Sequence, residues 1–185
     1  MRPFTVTYEM GAELVRSGSV GVIPTDTLYG LVCRYDDPES VERIYRLKRR
    51  DRSKPCIVLI EEIERLAEFG VLLDGDELKT VKGLWPGPVS VIFTVQGSFD
   101  ALTCGTGTLA FRVPSDESLR SFLSVSGPIL APSANMEGMG PSKTVSEAYV
   151  YFGDDIDFYV EDGKREGPAS RIVKITESKE VIYRL

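Results

Sequence analysis

The chain has 185 residues, 42% hydrophobic and 27% charged, with a net charge of −6, values ordinary for a soluble globular domain. No apolar segment approaches the roughly 20 residues that span a bilayer, and the opening "MRPFTVTYEM" lacks the apolar core and small-residue cleavage site of a signal peptide, so we expect a cytoplasmic protein without membrane partners. There is no histidine, which excludes serine–histidine and cysteine–histidine catalysis, imidazole acid–base chemistry and histidine-ligated metal.

Taken in chain order, segment 4–8 alternates as a short strand, and "YEMGAELVRSG" (8–18) reads as a helix stopped by Gly18. "SVGVIP" (19–24) is a buried strand ended by Pro24. "PESVERIYRLKRR" (38–50) is a helix with Pro38 in its first turn and Val41, Ile44, Tyr45 and Lys48 along one face. "PCIVLIE" (55–61) is a strand, and 61–69 and 74–85 are helices. Strands follow at 88–95 and 108–114, then a helix at 116–124, a strand at 128–134 and a helix at 144–153 capped by Thr144. Late strands are expected at 157–161, 170–175 and 180–185, close enough together to suggest antiparallel pairing. The interleaving predicts an α/β fold: an open, twisted, mixed parallel and antiparallel sheet with helices packed on it. With no linker or repeat in view, one domain over 1–185 is expected. Cys33, Cys56 and Cys104 are odd in number and contain no CxxC, which predicts reduced, buried thiols and identifies no protein metal site.

Polar groups collect where apolar strands end. "PTDTLYG" (24–30) places Thr25, Asp26, Thr27 and Tyr29 after one strand, and "APSAN" (131–135) places Ser133 and Asn135 after another. Each is either a capped turn or part of a ligand site beyond a strand's carboxyl end. Segment 46–54, "RLKRRDRSK", is densely cationic within an acidic chain. Glu39–Arg43 and Glu42–Arg46 are spaced to pair along the helix. Lys48 continues the apolar stripe and leans inward, while Arg50, Arg52 and Lys54 run into the next strand, an arrangement suited to polyphosphate or to a solvated charge run. Arg112, within "LAFRVP", projects opposite Phe111 and Val113 and needs an anion, either a protein carboxylate or a substrate carboxylate. Trp85 in "WPGP" is expected in the core. Neither a P-loop nor a GxGxxG is present.

In order, "PTDTLYG", "KRRDRSKP", "WPGPVSVIF", "LAFRVP" and "APSAN" resemble the YrdC/Sua5 family of threonylcarbamoyl-AMP synthases in its short, single-domain form. The resemblance implies a fold around a cationic cleft. It also implies synthesis of L-threonylcarbamoyladenylate and pyrophosphate from L-threonine, bicarbonate and ATP with Mg²⁺, for a partner transferase complex that modifies adenosine 37 of tRNA. It assigns Lys48 and Arg50 as catalytic; Lys48, Arg50, Arg52, Lys54, Thr108, Asn135, Thr144 and Arg184 to ATP; and Thr25, Tyr29, Arg112, Ser133 and Ser170 to threonine. The sequence identifies no base; Asp26 is only a candidate. Substituting Lys48 or Arg112 is expected to remove activity without unfolding the chain. The sequence departs from the family at Asp51, where proline is common, at Glu137 in "SANMEGMG", where serine is common, and at Arg171 and Lys174 in "SRIVKI". Two alternatives use the same fold: a tRNA- or double-stranded-RNA-binding module, and a non-catalytic regulator.

Overall fold

The computed structural model describes residues 3–176 and 179–184. Local signals set many of its boundaries. Thr7, Asp37, Asp74, Asp116 and Thr144 each accept a backbone N–H at a helix start, satisfying donors that the first turn leaves orphaned. In order the chain forms β1 (Thr5–Val6), α1 (Tyr8–Arg16), β2 (Gly21–Pro24), β3 (Tyr29–Arg34), α2 (Pro38–Lys48), β4 (Ile57–Leu59), a 3₁₀ helix (Ile63–Phe69), α3 (Gly75–Leu84), β5 (Val89–Thr94), α4 (Asp100–Thr103), β6 (Thr108–Arg112), α5 (Glu117–Ser126), β7 (Ile129–Leu130), α6 (Val145–Phe152), β8 (Phe158–Val160), β9 (Arg171–Thr176) and β10 (Lys179–Arg184). Among these helices none is long and apolar enough to cross a membrane.

The strands make one mixed sheet in the order β1-β8-β2-β3-β7-β4-β6-β5-β9-β10. Adjacent strand residues divide between two cores, as the two-residue period requires. Val22, Leu31, Val58 and Tyr159 pack on one side with Val41, Ile44 and Tyr45 of α2, Val81 of α3 and Phe152 of α6. Ile23, Val32, Leu59 and Phe158 pack on the other with Ala12 and Val15 of α1 and Leu119 and Phe122 of α5. Burial on both faces explains why β2 and most of β3 read as continuous apolar runs.

Several expectations change. The strand pattern does not predict β3, which returns antiparallel beside β2; its start lies inside the polar cluster, whose residues read as a turn. Residues 63–69 form a 3₁₀ helix, and β7 is shorter than expected. β9 and β10 pair antiparallel, but β8 lies far away, parallel to β1 and β2. Arg43 pairs with Asp157 at 2.8 Å, and Glu42 pairs with Arg52, in place of the local helix pairs. Trp85 and two of the three thiols are buried as expected, and all three cysteines are free.

Gly21 fixes how closely β2 meets β8. A Cβ there would lie 2.2 Å from Cζ of Phe158, its partner in the parallel ladder. Gly21→Ala should therefore lower stability by about 1–3 kcal/mol. A urea midpoint unchanged from the wild type would refute this packing constraint.

Candidate functional site

α2 ends in an unusual way for a non-glycine residue: Arg49 adopts a left-handed conformation, φ 50°. The reversal leaves Lys48 inside and sends Arg50 along a new path. Lys48 is 2% exposed, and its Nζ donates to Ser133 O at 2.5 Å, Asn135 O at 2.7 Å and Asn135 Oδ1 at 3.2 Å. Ser133 Oγ donates to the same Oδ1 at 2.6 Å, and Asn135 Nδ2 donates to Met136 O and Met139 O. Helix α2 is thus fastened to the loop after β7. Burial, followed by the Arg50 guanidinium, lowers Lys48 to about 8, while the three acceptors favour the charged form.

Beside this clasp lies a cavity of about 290 Å³. Its wall takes Thr25, Thr27 and Tyr29 from the β2–β3 turn, Arg50 and Pro55–Ile57 from the entry to β4, Arg112 from the end of β6, Ala131–Ser133 after β7, and Ala169, Ser170 and Ile172 at the start of β9. Three strands, β2, β6 and β7, therefore contribute their carboxyl ends, as expected for an α/β sheet, and three, β3, β4 and β9, contribute their amino ends. The described wall holds two arginines and no carboxylate. A larger groove of about 550 Å³ carries Glu61, Glu62, Glu64 and Glu117 beside Arg120, a charge that disfavours anions.

Arg112 already has a protein anion. Its Nη2 lies 3.0 Å from Asp26 Oδ1, with side chains 5% and 4% exposed. Asp26 Oδ2 also accepts from Ser115 N and Oγ at 3.2 and 3.4 Å. Contacts from Arg112 to the Thr27 and Thr25 hydroxyls are long, 3.4 and 3.5 Å, so the ion pair dominates. The protein-carboxylate alternative for Arg112 is realised, and Asp26 is committed as its counter-ion, not placed as a base. The polar cluster is likewise both a capped turn and a cavity wall. Thr25 Oγ1 donates to Leu28 O at 2.7 Å and accepts from Thr27 N and Leu28 N.

Residues 161–170 strap across this turn. Tyr29 OH donates to Gly163 O at 2.7 Å and accepts from Asp162 N; burial raises its pKa. Arg165 Nε donates to Thr25 O at 3.0 Å, while its other nitrogens hold Asp162. The sequence reading missed Arg165; its only signal was the charged stretch "DGKREGPAS". Ser170, 3% exposed, meets Ser90 at 3.1 Å.

Thr25, Tyr29, Arg112, Ser133 and Ser170 thus share one cavity with Arg50, whose guanidinium also grips Lys54 O and Pro55 O. Lys48 and Asn135 stand directly behind Ser133 and do not form its wall; here the Lys48 ammonium is turned onto three carbonyl oxygens. Arg52 leaves the site, pairing with Glu42 and lying 4.4 Å over the Tyr45 ring. Lys54 pairs with Glu137 at 2.5 Å. Thr108 joins its hydroxyl to Thr106, and Thr144 caps α6; neither lines the cavity. Arg184 ends β10, and its side chain lies outside the described residues.

The Sua5_yciO_yrdC family model, described as "Telomere recombination", matches residues 13–185, and the chain belongs to this family. It is 30% identical over 162 residues to the threonylcarbamoyl-AMP synthase of Aliivibrio fischeri, covering 84% of this chain and 88% of that protein. It is 29% identical to the synthase of Pyrococcus abyssi, covering 95% of this chain and 52% of that protein, so it spans about half the length of that relative. The fold superposes on P. abyssi Sua5 complexed with L-threonine with a TM-score of 0.88 at 28% identity, covering 96% of this chain and 53% of that one. It also matches E. coli YciO in fold, with a TM-score of 0.85 at 22% identity over 98% of this chain and 91% of that one.

Two predictions follow from the buried charges. Arg112→Ala strands the Asp26 carboxylate and should lower stability by about 3–5 kcal/mol, against the sequence expectation of an intact fold. The double variant Asp26→Asn/Arg112→Gln should recover at least half of that in urea titrations, and no recovery would show the pair is not the cause. For Lys48, the folded chain holds the proton less tightly than an unfolded lysine does, about 8 against 10.5. Between those pH values the unfolded state binds more protons, so stability rises with pH. Relative to Lys48→Met, the wild type should gain up to roughly 3 kcal/mol across that window. A pH-independent difference would count against it.

Proposed function

We propose that this chain makes L-threonylcarbamoyladenylate and pyrophosphate from L-threonine, bicarbonate and ATP. One observation carries the proposal: the five residues assigned to threonine come from four separate segments and line a single cavity without a wall carboxylate. At about 290 Å³ the cavity sits at the low end of small-ligand sites, which run roughly 300–1,000 Å³. It suits an amino acid. The nucleotide then lies at the mouth, towards Arg50, Lys54 and the 135–141 loop.

Arg112, steadied by Asp26, takes the threonine carboxylate in a charge-assisted contact. Thr25, Ser133 and Ser170 orient the remainder, with the Tyr29 ring as a wall. The threonine amine bonds to the carbon of bicarbonate-derived CO₂ and releases a proton to water. A carbamate oxygen then attacks the α-phosphorus, and the bond to the β-phosphate oxygen breaks, releasing pyrophosphate. Arg50 offsets charge on the phosphates, and Lys48 positions the Ser133–Asn135 loop without touching substrate. Positioning and fixed charge supply the rate enhancement, which suits a chain without histidine. The described residues contain no group of three histidine, cysteine or carboxylate side chains fit to hold a metal; Mg²⁺ enters as the counter-ion of ATP.

The product passes, in the cytoplasm, to a transferase acting on adenosine 37 of tRNA. Direct RNA binding has weaker support, because Arg52 and Lys54 of the basic stretch, and Arg43 just before it, are each paired with a carboxylate.

Pyrophosphate release should require all three substrates, each left out in turn. Release that continues without threonine would overturn the substrate assignment.

A further inference from the structure

The departure at Glu137 has a structural counterpart. Residues 50–55 curl into a compact turn: Arg50 holds Lys54 O and Pro55 O, Lys54 N donates to Asp51 O at 3.1 Å, and Ser53 N donates to Asp51 Oδ1 at 2.8 Å. The turn leaves the Asp51 N–H and the Lys54 ammonium facing the same carboxylate. Glu137 Oε2 accepts from Asp51 N at 2.7 Å, and Oε1 accepts from Lys54 Nζ at 2.5 Å. A backbone N–H paired with a lysine ammonium is also a donor set that binds phosphate oxygens. The backbone of Glu137 is anchored separately, its N–H donating to Lys48 O at 2.8 Å, so its side chain can leave while the loop stays. Arg50 and Pro141, on either side of this clasp in the chain, both line the cavity.

We propose that Glu137 is an internal ligand: its carboxylate occupies the anion position that a phosphate of ATP takes, and nucleotide entry displaces it. The proposal rests on the nucleotide-binding reading given above and names the residue that sets the affinity of that site. Lys54 and the Asp51 N–H hold the Glu137 carboxyl below the usual carboxylate range, so it competes as an anion. The clasp is exchangeable, since the Lys54 side chain is 55% exposed and exposed pairs are weak. On displacement, Lys54 trades one anion for another and Glu137 returns to water.

The test is calorimetric titration of the full chain with ATP, without threonine or bicarbonate so that no turnover occurs. Glu137→Gln, and Glu137→Ser as a second variant should the first misfold, should bind ATP roughly two- to fivefold tighter than wild type. Lys54→Met should bind more weakly than wild type. ATP affinity unchanged or weakened in both Glu137 variants, with a lowered melting temperature, would make Glu137 a structural clasp and overturn the inference alone. No ATP binding by wild type or variants would overturn the inference together with the nucleotide reading.

Discussion

The Lys48 ammonium joins two segments 85 residues apart in the chain, the end of α2 and the turn after β7. Burying a charge is unfavourable unless every donor finds a partner, and here three carbonyl oxygens meet it. That requirement fixes the Ser133–Asn135 turn, which supplies one wall of the cavity. It also fixes where α2 must stop, and the left-handed Arg49 that follows aims Arg50 at the opposite wall. One ammonium thereby sets the spacing of two sides of the site.

The electrostatics around the cavity are built by mutual compensation. Asp26 balances Arg112, and Glu137 balances Lys54. The cationic character suggested by "RLKRRDRSK" is therefore smaller in the folded chain than in the sequence, and it is concentrated where arginines reach the wall. Hydroxyl groups complete the lining while bonding to their own turns. Such groups are preorganised: their orientation is settled before any substrate arrives, which is how fixed dipoles become useful to catalysis.

Much of the site was legible because its signals are local. Apolar strands ending in Pro-hydroxyl clusters, and an arginine within an apolar strand, are visible without knowing any partner. The mixed sheet with helices packed on it followed from the interleaving of elements; that the helices cover both faces did not. What stayed hidden depends on distant partners. Arg43 meets Asp157 and not Glu39, because the β8 end of the sheet brings a better-placed carboxylate than the helix does. Tyr29 and Thr25 are held by a strap 134 and 140 residues further along the chain. β3 was missed because Tyr29 and Gly30 serve at once as turn, cavity wall and strand, and the polar neighbours masked the apolar run.

The strap carries a geometric consequence of its own. β8 and β9 are seven strand spacings apart in the sheet order, about 34 Å if the sheet were flat. About eleven Cα steps, fully extended, cover at most roughly 40 Å, and this stretch detours to bond Tyr29, Thr25 and Lys143. Across a flat sheet that would leave little length for these detours. The sheet must curl to bring its flanks within reach, and shortening this crossing would pull Ser170 from its seat or unzip an edge of the sheet. Deletions that ordinary surface loops absorb would therefore cost this crossing the bonds that hold the cavity wall.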